Sequence, residues 1–282
     1  GCAIIALVPA PVGGRKSTIS KWGIFPVSAS CVCTVRGLCL GQGRPKICVP
    51  LVSRNLPELL QDARELCQLP ADLAEWRVDC FEGCQDSAAV LEALEALRQV
   101  LGDKPLLFTC RTKSEGGNAG MDFPLYRELN LAAARSGHAD LLDLELFSAP
   151  EEELKALIDQ MHQLGRIVVV SSHDFEKTPP EEEILRRLLL AKRLGADLPK
   201  VAVMPHSQED VLSLLGATLK ANRQGAAPVI TMSMGALGGI SRLSGEVFGS
   251  ALTFGCARQA SAPGQFPAGR LDEILEALHQ SL

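Results

Sequence analysis

A chain of 282 residues, 46% hydrophobic and 22% charged, can bury a substantial core, which excludes a disordered or fibrous protein. The net charge of -5 argues against a general nucleic-acid binder, and no apolar stretch reaches the length of a membrane span. The 10 cysteines include no C-x-x-C pair, which argues against a zinc site and for a reducing compartment, the cytoplasm being the simplest.

Residues 1–36 are basic, rich in Gly, Ser, Pro and Val, and free of any clean period. They read as a poorly ordered extension outside the fold. A basic, Ser-rich, acid-poor segment also fits an organellar transit peptide, although no amphipathic face supports one. From residue 37 to the C-terminus the pattern becomes regular and predicts a single catalytic domain.

Ile47–Val52 is apolar throughout and reads as the first strand. Asn55 then caps a helix to about Leu69, with Pro57 in its first turn. Ala74–Val78 is the second strand, and Asp86 caps the next helix, to Leu101. Pro105–Cys110 precedes a glycine-rich turn and a helix over Pro124–Ser136. Leu141–Phe147 is followed by the helix Glu151–Leu164, with acids in its first turn. Ile167–Val170 and Val201–Met204 flank a helix over Pro179–Leu194, the βαβ unit of a parallel sheet. The helix Ser207–Asn222, the strand Val229–Met234, a short helix Ser241–Phe248, the strand Leu252–Cys256 and the amphipathic helix Leu271–Ser281 complete the chain. Eight apolar runs alternating with helices predict an α/β fold of the (β/α)8 TIM-barrel type. A doubly wound open sheet is the runner-up, but no glycine-rich dinucleotide fingerprint follows the first strand.

In such a barrel chemistry sits at the C-terminal ends of the strands, and polar residues gather there. The second strand carries Glu75, Arg77 and Asp79, and the third ends in Arg111 with Glu115 beyond it. Asp143 and Glu145 sit between leucines, and His173 follows the fifth strand. Met234 ends the seventh strand with Arg242 just after, and the last loop holds Ser261 and Gln265. Buried charges are costly unless paired or used, so this convergence points to a site. Lys200 stands before an apolar run, where its stem points into protein. A buried amine of this kind is a candidate nucleophile toward carbonyls, and His173 could move protons for it. Placed at the start of its predicted strand, Lys200 is the one residue that departs from the strand-end rule. Phe175, Met232 and Phe254 read as core, and of the apolar residues only Met234 is assigned to substrate.

The blocks Glu75-Trp76-Arg77-Val78-Asp79, Leu106-Leu107-Phe108-Thr109 with Arg111, and Asp143-Leu144-Glu145-Leu146-Phe147 resemble the type I 3-dehydroquinate dehydratases. Ser172-His173-Asp174-Phe175, Pro199-Lys200-Val201-Ala202, Met232-Ser233-Met234, Gly239-Ile240-Ser241-Arg242 and Ser261-Ala262-Pro263-Gly264-Gln265 continue the resemblance, in order, from about residue 37 to the end. Pro50 stands where some members of that family have a serine facing the substrate.

The resemblance implies a homodimeric hydro-lyase that converts 3-dehydroquinate to 3-dehydroshikimate, the third step of the shikimate pathway to chorismate and the aromatic amino acids. Lys200 would form a Schiff base with the ring ketone, His173 would shuttle protons and Glu115 would hold the imidazole. Arg242 would take the substrate carboxylate, and Glu75, Arg77, Arg111, Ser261, Gln265 and Met234 would hold the rest of the molecule. The iminium is itself the electron sink, so no metal or organic cofactor is implied. A Schiff-base aldolase would share Lys200, and a non-catalytic binding protein would share the pocket; the joint presence of Lys200, His173 and Glu115 favours the dehydratase.

Overall fold

The computed structural model describes residues 33–118, 120–257 and 261–282. The described chain opens with an antiparallel hairpin of β1 (Cys33–Val35) and β2 (Leu38–Leu40). Its two turn residues, Arg36 and Gly37, both have positive φ, 45° and 80°, the backbone hand that matches the twist of paired strands. The fold therefore reaches back to Cys33, into the segment expected to lie outside it, and the expected boundary falls in the middle of this turn. The rest of the predicted extension, residues 1–32, lies outside the described residues.

Strands and helices then alternate. β3 (Lys46–Leu51) leads to α1 (Leu56–Leu66), β4 (Leu73–Arg77) to α2 (Ser87–Leu101), and β5 (Leu106–Thr109) to α3 (Phe123–Ser136). β6 (Leu141–Glu145) leads to α4 (Glu151–Gln163), β7 (Ile167–Asp174) to α5 (Glu181–Leu194), and β8 (Leu198–Val203) to α6 (Gln208–Arg223). β9 (Ile230–Ser233) is followed by the short helices α7 (Gly239–Leu243) and α8 (Gly245–Phe248). β10 (Leu252–Cys256), the two-residue β11 (Phe266–Pro267) and α9 (Ala268–His279) end the chain.

The strands from β3 to β9 pair in parallel with their neighbours in chain order, and β10 pairs in parallel with β3. Where β9 meets β10 the curled sheet is joined by a parallel bridge between Val229 and Ser250. This is the α/β barrel that the alternating pattern predicts. Asn55 and Asp86 cap their helices as expected, accepting from the Glu58 amide at 3.0 Å and the Ala88 amide at 2.9 Å, and Ser207 and Asp210 add a capping box at the start of α6. Among the described residues no helix is long and apolar enough to cross a membrane.

Successive strand residues face opposite ways, so alternate positions fill the barrel. Cys48, Leu73, Leu107, Leu141, Val169, Leu198, Ile230 and Leu252, one from each strand, form an apolar floor. Val35 and Leu40 of the hairpin pack into that floor and plug the N-terminal mouth. The positions between them face outward under the helices, where Trp76 meets Phe81 and Phe108 edge to face at 5.8 Å. The floor closes one end of the barrel, leaving the chemistry to the other.

Candidate active site

Two residues beyond the apolar floor, side chains again point inward, and here they are polar. Glu75, Thr109, Asp143, Ser171 and Lys200 occupy these positions on β4 to β8, all buried. Lys200 is thus the third residue of its strand. The strand begins at Leu198, earlier than the sequence pattern suggests, and the long side chain carries the amine up into the site.

The Lys200 Nζ donates to Asp143 Oδ2 at 3.0 Å, stands 3.9 Å from Glu75 Oε1, and lies 4.7 Å from the centre of the Phe254 ring. Asp143 Oδ1 accepts from Ser171 Oγ at 2.5 Å and pairs with Arg111 Nη2 at 2.9 Å. Burial alone would raise the Asp143 carboxyl, but the Arg111 and Lys200 cations overcome it and hold the group well below the usual carboxylate range. Glu75 is fixed by the Thr109 hydroxyl, which donates to it at 2.8 Å.

Arg111, at the end of β5, is the hub of the charge network. Its Nη1 reaches Glu145 at 3.0 Å, Ser171 at 2.9 Å and Glu115 at 3.3 Å. Burial opposes the charge, yet three carboxylates raise the guanidinium above its ordinary value. Arg77 makes a two-pronged pair with Asp79 at 2.7 Å on each arm, and Asp79 is braced by the amide of Asn118 at 3.0 Å.

His173 closes the cluster. Its Nδ1 lies 2.9 Å from Glu115 Oε2, on the glycine-rich turn after β5. Burial drives the imidazole well below its ordinary value, and the Arg111 and Lys200 cations add to the effect. Burial likewise pushes the Glu115 carboxyl up to about 8; Arg111 opposes the rise, and Glu145 and Asp143 reinforce it. The pair is therefore a buried proton-holding unit facing the amine.

A cavity with about 570 Å³ of empty space, part of it open solvent, lies above these groups. Of the residues named from the sequence, Glu75, Arg77, Arg111, Glu115, His173, Lys200, Met234, Ser261 and Gln265 line it. Phe175, Met232 and Phe254 line it too; Met232 and Phe254 are buried in the core as expected, whereas Phe175 is exposed, which corrects its reading as core. Ser261 and Gln265 hold each other: the Ser261 amide donates to Gln265 Oε1 at 2.8 Å and Gln265 Nε2 to Ser261 Oγ at 2.9 Å.

Arg242 stands just behind the wall, with Nη2 donating to the Pro263 carbonyl at 3.0 Å and Nη1 3.9 Å from Met232 Sδ. Its Nε is buried without a partner among the described residues, and burial pulls the guanidinium down to about 10. A buried cation of this kind is costly unless it is paired or used.

The model of the family described as type I 3-dehydroquinase matches residues 47–282. The chain belongs to the type I 3-dehydroquinase family. Its relatives include the 3-dehydroquinate dehydratase of Bacillus licheniformis, 53% identical over 249 residues, which cover 88% of this chain and 98% of the relative. Among solved structures, the 3-dehydroquinate dehydratase of Geobacillus kaustophilus superposes with a TM-score of 0.87 at 41% identity, covering 91% of this chain and 99% of that one. The type I enzyme of Clostridium difficile, solved with covalent modified comenic acid, gives 0.87 at 44% identity, covering 90% and 100%. As a type I 3-dehydroquinase the chain is an enzyme, a hydro-lyase.

Within this type I 3-dehydroquinase, sequence reasoning names the residues that face the cavity but passes over those that set their charge. Asp143 and Glu145 stand out as acids between leucines, yet nothing in the sequence says that Asp143 touches the amine. Thr109 and Ser171 give no signal, since a hydroxyl on an inward strand position resembles ordinary core polarity.

Proposed function

We propose that this enzyme dehydrates 3-dehydroquinate to 3-dehydroshikimate through an iminium formed on Lys200. The observation that carries the reading is a buried primary amine sharing one small cavity with an imidazole whose Nδ1 is held by a carboxylate. The amine attacks the ring ketone, the carbonyl oxygen leaves as water, and the cationic C=N bond acidifies the neighbouring C–H. His173, held by Glu115 through Nδ1, removes that proton with its other nitrogen. It then returns the proton to the departing hydroxyl, and water releases the product from Lys200.

Arg242 receives the substrate carboxylate, while Glu75, Arg77, Arg111, Ser261 and Gln265 offer donors and acceptors to ring hydroxyls. Phe254 and Met234 give the ring an apolar wall. The covalent ligand in the Clostridium difficile neighbour is in keeping with such chemistry. The same reading makes the protein a homodimer in a reducing cytoplasm, in keeping with the free thiols of Cys48, Cys67, Cys80, Cys84, Cys110 and Cys256.

Borohydride added during turnover decides the point. The reduced adduct should add the mass of the dehydrated ligand to the Lys200 peptide, and Lys200→Ala should fold, fail to trap and fail to produce the ultraviolet absorbance of the conjugated product. Normal turnover by Lys200→Ala would remove the covalent mechanism.

A further inference from the structure

Resting on that reading, we propose that Asp143 is a further catalytic residue: its carboxylate is the fixed counter-ion of the iminium on Lys200 and keeps the covalent adduct protonated. The balance of the step gives the reason. A Lys200 ammonium and a ketone yield an iminium and one water, the N–C bond forming as the C–O bond breaks, with no net proton gained or lost. Nζ therefore carries one positive charge before and after the adduct forms, and a single anion can serve both states without rearranging.

Asp143 is placed to be that anion. Its side chain is wholly buried, Oδ1 is tied by Ser171 and Arg111, and Oδ2 is left to face Nζ at 3.0 Å. Glu75 stands farther off at 3.9 Å and is committed to Thr109. The Phe254 ring at 4.7 Å adds a second surface that favours a cation at Nζ.

The need for an anion comes from the chemistry of imines. A C=N nitrogen is a far weaker base than an amine, and only its protonated form is an effective electron sink. The cavity also holds Arg77 and Arg111, whose charge works against a further cation. A nearby carboxylate that stays ionised throughout the working range offsets both, and the cations around Asp143 keep it so. The charge leaves Nζ when the amine gives up a proton to attack the ketone, and again in the enamine, when the His173 imidazolium carries the proton.

The ionisable groups around the pair are Glu75 of β4, Arg111 of β5, His173 of β7 and Cys48 of β3, with Tyr126 of α3 and Glu145 behind. All of them remain in the variants below, so a displacement relative to the parent enzyme reports on Asp143.

The test measures kcat against pH, and borohydride trapping with 3-dehydroquinate at acid and alkaline pH, for the parent enzyme, Asp143→Asn and Ser171→Ala. An opposite charge at this distance shifts a protonation by about 1–3 pH units, so the alkaline limb of kcat in Asp143→Asn should move down by at least roughly one unit. Its trapping should fail at alkaline pH and persist at acid pH. Ser171→Ala, which frees Oδ1 but keeps the carboxylate, should move the limb the same way by less; where Asp143→Asn does not fold, this variant decides. Profiles and trapping that coincide with the parent would overturn the counter-ion role. Failure of the parent itself to trap would instead sink the Schiff-base reading.

Discussion

His173 and Glu115 form a closed pair: Nδ1 and Oε2 lie 2.9 Å apart, and the two side chains are 10% and 9% exposed. Engaging Nδ1 leaves the other ring nitrogen to serve the cavity, which assigns the histidine its orientation. Near neutrality the arrangement keeps a proton on the Glu115 carboxyl and leaves the imidazole neutral, because burial disfavours both the carboxylate and the imidazolium.

Glu115→Gln should reveal that proton as a pH-dependent stability. The folded carboxyl titrates near 8 and its ordinary value is 4.5. Between these the unfolded chain is ionised while the native chain still holds its proton, so native stability falls as pH rises through the window. Glutamine cannot ionise and escapes the loss. Melting of the two proteins should differ little at the acid end and increasingly favour the variant toward the alkaline end; a constant difference would contradict the pairing. Glutamine still offers an acceptor to Nδ1, so turnover should fall only modestly.

Arg242→Met separates binding from folding. Two charge-assisted hydrogen bonds to a substrate carboxylate, at roughly 1.5 kcal/mol each, predict a rise of about 100-fold in KM. The ligand-free variant should melt at the same temperature as the parent or higher, because no carboxylate among the described residues offsets the buried guanidinium. Unchanged KM would exclude Arg242 as the anion receptor.

Much of this architecture is readable in the sequence because strands covered on both faces are apolar runs, and the chain interrupts them with strong caps such as Asn55, Asp86 and Ser207. Three features escape. The apolar run is counted from Val201, whereas β8 begins at Leu198 with Pro199 as its second residue, and that count put Lys200 at a strand start. The hairpin is hidden because its turn is Arg36-Gly37 rather than an asparagine–glycine pair, and its strands are three residues each. The contact between Asp143 and Lys200 spans β6 and β8, and depends on how far adjacent strands slide past one another, which a one-dimensional pattern does not contain.

Leu40→Ala tests the plug. The side chain is fully buried against the barrel floor, and truncating such a leucine costs about 2–5 kcal/mol. The denaturation midpoint should fall with its slope unchanged. KM and kcat should stay near the parent values, because the hairpin closes the mouth opposite the cavity. A kinetic effect as large as the stability effect would show that the two ends of the barrel are coupled.

Gly116→Ala tests how the imidazole is kept in place from its open face. Gly116 has φ of 78°, a conformation that costs an alanine about 1 kcal/mol, and a Cβ there would overlap the Phe175 ring. That ring lies 6.2 Å from the His173 ring at an angle of 17°, stacked over it. Alanine therefore strains the turn and pushes Phe175 against the proton-carrying group. A drop in kcat of about tenfold or more corresponds to roughly 1.4 kcal/mol of lost transition-state stabilisation, well within what a displaced imidazole loses. Adding Phe175→Ala removes the overlap but leaves the backbone strain, so the double variant should regain part of the lost kcat while its melting temperature stays low. Losses that simply add would show that Phe175 does not carry the effect from Gly116 to His173.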